Sequence, residues 1–472
     1  MSRRFWLIRA TAAATLAALA GAPVGVAADD RPNIVFILAD DLGALDLQAD
    51  GAVLAETPAL DRLRAQGVSF SSAYASAPIC SASRAAILTG RSPARLQFEF
   101  VTKAPEPAAA NGSQRLRQPD FPVNLPLSET TIAEVLGPAG YATGFFGKWH
   151  LTQANDRYLG HGTTFGPRQQ GFDEADEERG SHPYNWPKPK GPPPPGDFKD
   201  GEYEPDALID RAIRFLGDHR NRRFFLFLSL YHPHEPVNTR LEWLTEKYRR
   251  KAARLGLPAD ERSVRYAAFV DTMDHLVGRV LAAIDEQTLS DETLVVFASD
   301  NGGAPQWTDH RPMRGSKWTL YEGGIRVPLF ARGPGIPAGV TCPIPVIGTD
   351  FLPTFSALAR ASLPADVVLD GANIQPLLAD PKAEWFARTL TWHFPFYHEP
   401  HVGETPVSAI RKNEFKLVHH YENERSELFD LAADPHERRD LSTRHPQKAA
   451  ELREELRSRL QAEGARFPTR MQ

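Results

Sequence analysis

Asn33-Ile34-Val35-Phe36-Ile37-Leu38-Ala39-Asp40-Asp41 is an unbroken apolar run that stops at two carboxylates. A strand buried on both faces reads this way, whereas a strand with one wet face alternates apolar and polar side chains. The construction recurs three times. Leu294-Val295-Val296-Phe297-Ala298 stops at Ser299-Asp300-Asn301-Gly302-Gly303, the run 224–230 stops at Tyr231-His232-Pro233-His234, and 142–146 stops at Gly147-Lys148-Trp149-His150. Helical spacing lies between these runs. Thr57-Pro58 opens a segment with Leu60 and Leu63 on one face, and 263–287 places Phe269, Met273, Leu276, Val280 and Ile284 at 3.6-residue periodicity. Alternating strands and helices predict an α/β fold, a large and mostly parallel sheet flanked by helices. Ligands of open parallel sheets sit at the carboxyl ends of the strands, so the polar groups that end these four runs should share one rim.

Composition narrows the function classes. The 472 residues carry 54 Lys and Arg against 59 Asp and Glu, a net charge of −5, which argues against a polycationic surface for nucleic acid. With 42% hydrophobic and 24% charged residues the chain is ordinary globular protein. Two cysteines exclude a disulfide framework and a four-thiolate zinc site.

The first 28 residues read as an address. Arg3, Arg4 and Arg9 precede an alanine-rich apolar run, and Val26-Ala27-Ala28 suits a signal peptidase. The paired arginines fit twin-arginine export. Cleavage removes three arginines, leaving 51 basic against 59 acidic residues and a charge of −8. The expected location is a bacterial periplasm or the cell exterior, with no stable membrane anchor, since no second apolar stretch is long enough to span a bilayer.

Forty prolines are mostly concentrated in loops, above all WPKPKGPPPPG at 186–196, which cannot be helix or central strand. The region 95–128 reads as a long loop near the rim. Beyond about Phe386 the pattern changes to short alternating strands (389–392, 408–410, 415–418, 427–431) and a charged helix at 446–462. The expected organisation is a signal peptide at 1–28, a catalytic domain at 29–385 and a C-terminal α+β subdomain with a short antiparallel sheet at 386–472.

Asp40, Asp41, Asp300 and Asn301 supply oxygen ligands, a set that suits a hard divalent cation, Ca²⁺ or Mg²⁺, rather than zinc or copper. Cys80, in Pro78-Ile79-Cys80-Ser81-Ala82-Ser83-Arg84, does not fit that set. At a helix N-terminus with Arg84 one turn on it could be a thiolate nucleophile; a lone cysteine is also often a small buried hydrophobe. Cys342 has no motif around it and reads as structural.

Cys80-x-Ala82-x-Arg84 followed by Leu88-Thr89-Gly90-Arg91 resembles the signature of type I sulfatases, members of the alkaline phosphatase superfamily. Ala82 departs from the commoner Cys-x-Pro-x-Arg form. Further blocks agree in order: 33–41, Gly147-Lys148-Trp149-His150, Pro233-His234-Glu235-Pro236, Ser299-Asp300-Asn301-Gly302, and Gly315-Ser316-Lys317 with Tyr321-Glu322-Gly323-Gly324. The resemblance implies that a maturation enzyme oxidises Cys80 to formylglycine, whose hydrate attacks sulfur and forms a covalent sulfo-enzyme. It implies a cation held by Asp40, Asp41, Asp300, Asn301 and the modified Cys80. Lys148, Lys317 and His234 would meet sulfate or leaving-group oxygens, His150 would take the hydrate proton, and Arg84 would hold the formylglycine hydroxyls. His232 competes with His234, but Pro-His-x-Pro favours the latter.

The implied activity is sulfate ester hydrolysis, with sulfated carbohydrates as the expected substrates. The tail stretch Trp392-His393-Phe394-Pro395-Phe396-Tyr397-His398, with His401 beyond it, suits sugar contact, core packing or surface exposure. Related enzymes leave a phosphonate monoester or phosphodiester hydrolase as the alternative. A non-catalytic protein on the same fold is disfavoured by the retained Cys80, Arg84, Lys148, His150 and Lys317.

Overall fold

The computed structural model describes residues 29–102, 114–153, 161–186, 196–397 and 405–471. The segment 1–28 read as an export signal, most of the proline-rich stretch, His398 and His401 lie outside the described residues. Eight strands build the main sheet: β1 (Asn33–Ala39), β2 (Val68–Phe70), β3 (Ala142–Gly147), β4 (Glu174–Asp176), β5 (Phe224–Ser229), β6 (Thr293–Ser299), β7 (Leu329–Arg332) and β8 (Val340–Cys342). Their order is β8-β2-β7-β6-β1-β5-β3-β4. Neighbours are parallel except at β7, which runs antiparallel to both β2 and β6.

The four apolar runs singled out above are β6, β1, β5 and β3, side by side in the middle of the sheet. Every residue of these strands is buried. Register makes their carboxyl ends level: Ala39 lies beside Ser299, Leu38 beside Ser229, and Ser229 beside Gly147. Gly147 is required there, because its φ is +107° and a β-carbon would fall 1.9 Å from the Ser229 carbonyl oxygen.

Helices cover both faces: α1 (Pro58–Ala65), α2 (Cys80–Thr89), α3 (Ala207–Asp218), α4 (Glu242–Leu255), α5 (Glu261–Glu286) and α6 (Phe351–Leu358). On one face Val35 and Ile37 pack with Leu60 and Leu63 of α1, Ile209 and Phe215 of α3, Leu244 of α4, and Phe269 and Met273 of α5. On the other, Ile34, Phe36 and Leu38 pack with Ile87 and Leu88 of α2 and Phe351 and Phe355 of α6. Each such side chain contributes about 1.5–3 kcal/mol by leaving water. α5 starts slightly before the periodic stretch because the Asp260 carboxylate caps it, accepting from the Ser263 amide at 3.0 Å. No helix among the described residues is long and apolar enough to cross a membrane.

The C-terminal strands are β9 (Thr389–Phe394), β10 (Val407–Lys412), β11 (Phe415–His420) and β12 (Arg425–Asp430), an antiparallel meander, followed by α7 (Pro446–Ala462). Strand alternation divides its side chains between two faces. Ile410, Leu417 and Leu428 pack with Leu452, Leu456 and Leu460 of α7. Trp392, Ala409, Val418 and Phe429 instead cluster with Tyr74, Ile79 and Ala82, beside the N-terminus of α2. From Arg31 onward the chain forms one compact unit.

Candidate active site

The level strand ends bring the chemistry together. Asp40 and Asp41 follow β1, Asp300 and Asn301 follow β6, Lys148 and His150 follow β3, and His234 follows β5. Cys80 opens α2, with Arg84 one turn further along. Lys317 arrives on a loop seated by its own amide, which donates to the Gly303 carbonyl at 3.0 Å. Gly302 permits this approach: a β-carbon there would lie 2.2 Å from the Gly323 carbonyl oxygen. Asp41, His150 and Trp318 all take left-handed backbone conformations (φ 63°, 58° and 81°), which for residues with a β-carbon stores of order 1–3 kcal/mol each.

Arg84 binds all four central strand ends at once. Its Nε donates to Asp300 Oδ2 at 2.8 Å, and one terminal nitrogen donates to the Lys148 carbonyl (2.8 Å) and Ser229 Oγ (2.5 Å). The other terminal nitrogen lies 2.8 Å from Asp300 Oδ2 and 3.5 Å from Asp40 Oδ1. Asp300 and Asp40 outweigh the burial of the guanidinium and hold it charged. Ser229 was not singled out in the sequence, although it is the one polar residue of the run Phe224–Ser229.

Cys80 Sγ sits 3.4 Å from Asp40 Oδ1, Asp41 Oδ1 and Lys317 Nζ. Burial, then Asp300 and Asp41, push its thiol far above the ordinary range. Of the two readings the sequence left open for the thiol, burial among carboxylates favours the neutral one, since it outweighs the helix N-terminus and the lysines. Cys342 is fully buried, as its structural reading requires.

Lys148 Nζ lies 2.5 Å from Asp40 Oδ2, and Lys317 Nζ 2.6 Å from Asp41 Oδ2. Burial opposes ionisation of Asp41, yet Lys317, His234 and Lys148 together pull its pKa well below the carboxylate range. Asp300, whose Oδ1 accepts from the Asp41 amide at 3.1 Å, is raised by burial to about 6 against the pull of Arg84. Burial opposes the charge on Lys317, but Asp41, Cys80 and Asp40 together outweigh it and raise the ammonium well above its ordinary range.

His234 Nδ1 lies 2.6 Å from the Glu235 carbonyl, so it carries the hydrogen and turns Nε2 toward Asp41 Oδ2, 3.6 Å away. Burial and Lys148 overcome the attraction of Asp41 and lower this imidazole to about 3; the contact is a neutral ring beside a carboxylate, not an ion pair. His150 is also held neutral, by burial first and then by Lys148 and Arg84. His232 ring packing is against Phe269 (4.4 Å) and His182 (5.7 Å), below the rim.

One ligand atom each from Asp40, Asp41, Cys80 and His234 lie within 4.8 Å of one another. Asn301 Nδ2 donates to Asp41 Oδ1 at 2.8 Å, while its Oδ1 is buried without a hydrogen-bond partner. An orphaned acceptor beside two carboxylates fits a cation, because leaving such an oxygen unmet costs about 1–3 kcal/mol. His234 joins this group although the sequence placed it only among sulfate-contacting residues. Asp300, expected as a ligand, spends its oxygens on Arg84 and the Asp41 amide. Three carboxylates (Asp40, Asp41, Asp300) balance three cations (Arg84, Lys148, Lys317), so a bound divalent ion leaves the site positive and ready for an anion.

Among the tail histidines, His393 is buried, with Nδ1 2.6 Å from Ser408 Oγ and Nε2 3.0 Å from the Arg466 carbonyl. It is a packed core residue and does not reach the rim.

The Sulfatase family description matches residues 32–361, and that of the N-sulphoglucosamine sulphohydrolase C-terminal region matches 309–466. The chain is 31% identical to a sulfatase of Formosa agariphila, over 92% of this chain and 89% of that one. It is 33% identical to arylsulfatase A of Homo sapiens, over 87% and 79% of the two chains. Of solved structures, Ps i-CgsB in complex with k-i-k-neocarrahexaose superposes with a TM-score of 0.73 at 27% identity, covering 91% of this chain and 93% of that one. With the family description matching 32–361 and a sulfatase 31% identical over nine-tenths of the chain, the chain belongs to the sulfatase family.

Proposed function

We propose that this sulfatase cleaves sulfate esters of carbohydrates, using a formylglycine made from Cys80 by a maturation enzyme and a divalent cation, Ca²⁺ or Mg²⁺. The observation that carries the reading is the convergence on Cys80 of Asp40, Asp41 and Lys317, each within 3.4 Å of a sulfur too deeply buried to ionise. A thiol so placed has no direct use as a nucleophile, whereas an aldehyde hydrate at the same position supplies a hard oxygen for attack on sulfur. The oxygen-rich group of Asp40, Asp41 and Asn301, with Asp300 behind, would hold the cation, which supplies Lewis-acid charge.

The chain's own residues do the rest. Lys148 and Lys317 present ammonium groups where sulfate oxygens gain charge, in a site with little water to screen them. His234, with its Nδ1–H fixed on the Glu235 carbonyl, turns a bare Nε2 toward Asp41 and the cation site, and it would donate to a leaving oxygen only after taking up a proton at Nε2. His150, neutral at working pH, accepts the proton that must leave before sulfate is released. Arg84 keeps the four strand ends in register, so that these groups need no reorganisation during turnover. The carbohydrate reading draws support from Ps i-CgsB, which was solved with k-i-k-neocarrahexaose. A periplasmic or secreted location follows from the export segment, and N-terminal sequencing of exported protein should begin at Asp29.

Two measurements test this. Mass spectrometry of the tryptic peptide 65–84 from active protein should show the cysteine converted to the aldehyde; an intact thiol throughout active material rejects the formylglycine. Sulfate release from a panel of sulfated oligosaccharides should exceed turnover of an aryl phosphodiester. The reverse preference would assign the chain to phosphonate monoester or phosphodiester hydrolysis instead.

A further inference from the structure

The loop that delivers Lys317 also delivers the next side chain, Trp318, and does so at a conformational cost. Trp318 has φ +81°, in the left-handed region that a bulky residue avoids. Its amide donates to the Pro78 carbonyl at 2.9 Å, which ties it to the segment leading into Cys80. The strain does not serve to hide the indole, because the residue is only half-buried. What the geometry secures is position: Lys317 Nζ, itself 3.4 Å from Cys80 Sγ, lies 5.7 Å from the centre of the Trp318 ring.

Aromatic residues fix that ring from behind. Phe100 lies 6.1 Å from it and Phe394 6.4 Å, with tilts of 47° and 52°. Phe100 in turn touches Phe121 at 5.2 Å and Phe396 at 4.8 Å. Phe394 and Phe396 are buried, whereas Phe100, Phe121 and Trp318 are half-buried. Three half-buried aromatic residues therefore adjoin in the order Trp318, Phe100, Phe121, with Trp318 beside Lys317, and all pack against the cluster that also holds Ile79 and Ala82.

We infer that Trp318, extended by Phe100 and Phe121, is the platform on which the leaving group rests, and that it selects sulfate esters of six-membered rings over those of flexible chains. The inference rests on the sulfatase reading of the neighbouring site. A ring has a broad apolar face that stacks on indole with little loss of internal freedom, whereas an alkyl chain must freeze several torsions to make the same contact. With the sulfate oxygens held by Lys317 and Lys148, the first ring beyond the ester oxygen meets Trp318, and a second ring of an oligosaccharide extends toward Phe100. Trp318 makes contact with substrate but moves no proton, so its effect belongs in KM more than in kcat.

The experiment compares 4-nitrophenyl sulfate and n-hexyl sulfate on the matured, metal-loaded enzyme and on Trp318→Ala, Trp318→Leu and Trp318→Phe. Selectivity is kcat/KM for the ring ester divided by that for the chain ester. We expect Trp318→Ala and Trp318→Leu each to lower this ratio roughly tenfold, through KM of the ring ester, with Trp318→Phe restoring most of it. Equal losses on both esters, or an unchanged ratio, overturn the platform and leave Trp318 a packing residue. Thermal melting of the three variants identifies any that fail to fold, and Trp318→Leu keeps apolar volume if Trp318→Ala does fail. Wild-type turnover of neither ester, with no sulfate released from any oligosaccharide, would count against the sulfatase reading itself.

Discussion

Two clusters of buried charge lie within this molecule, and they are built to different ends. At the rim, Asp40, Asp41 and Asp300 face Arg84, Lys148 and Lys317, and the cluster is left with an unmet acceptor at Asn301 Oδ1 and neutral imidazoles at His150 and His234. Under the C-terminal sheet, Lys416 is fully enclosed between Glu322 (2.9 Å) and Glu437 (2.9 Å). Glu437 accepts from the Glu322 amide at 2.6 Å, and Glu322 accepts from Tyr74 at 2.9 Å. The second cluster bolts the loop carrying Glu322 to β11, with both carboxylates facing the Lys416 ammonium. Ion pairing is common to both. Glu437 Oε1, though without a hydrogen bond, faces the Lys416 ammonium at 2.9 Å, whereas Asn301 Oδ1 is an acceptor left unmet beside Cys80 and its carboxylates, and that separates a site from a fastener.

The contrast is broken most directly at Lys317. Its replacement by Ala should lower kcat on sulfate esters by about 10²–10³-fold, since it removes a preorganised donor, while the thermal stability of the cation-loaded enzyme falls less than for Lys416→Met, because a bound ion and Lys148 still offset Asp41. A comparable loss of stability would mean that Lys317 is a fastener too. Lys416→Met should do the opposite. It leaves two carboxylates buried without their cation and should cost about 3–5 kcal/mol of stability in denaturant titration, with the activity of the folded fraction largely kept.

Cation binding sharpens the same distinction. Chelation should lower the melting temperature, and re-addition of Ca²⁺ or Mg²⁺ at roughly 100 times its dissociation constant should return about 2.7 kcal/mol. Lys416→Met should show the same increment, because its lesion is elsewhere; Asn301→Ala should show a smaller one. The smallest effect expected is in pH. Burial first, then Glu322, raises Glu437 from 4.5 to about 7 against the pull of Lys416. The folded state therefore holds a proton that the unfolded state gives up, so this stability is complete below about 4.5 and is lost as pH rises through 7. Glu437→Gln should flatten that part of the stability profile, measured by melts across pH 5–8.

Much of the site was legible in one dimension because its residues end apolar runs. Asp40-Asp41, Asp300-Asn301 and Lys148-x-His150 are conspicuous where a both-faces-buried strand stops, and parallel pairing carries all such ends to one edge. Arg84's service to four strands was not legible, since hydrogen bonds to Ser229 Oγ and the Lys148 carbonyl join residues 145 and 64 positions away. The aromatic tail could not be decided from composition: β9 turns Trp392 and Phe394 into the core beside the N-terminus of α2 and His393 toward Ser408 and Phe467, while Trp318 was passed over as a neighbour of Lys317. Composition does not record which face of a strand is wet.

The C-terminal sheet makes the same point. Its four strands were readable from alternation, but their purpose was not. One face of the meander seats Ile79 and Ala82, on either side of Cys80, against Trp392 and Phe429.

By itself the amino-acid sequence determined the α/β class, the level ends of four buried strands, and the residue types assembled there, because period and polarity are local properties of the chain. Only the tertiary structure showed the burial of Cys80 among carboxylates, the joining of His234 to the Asp40–Asp41 group, the clamp made by Arg84 and the half-buried position of Trp318. Those depend on burial and on distances of a few ångströms between residues far apart in the chain, and electrostatic energy changes steeply with both.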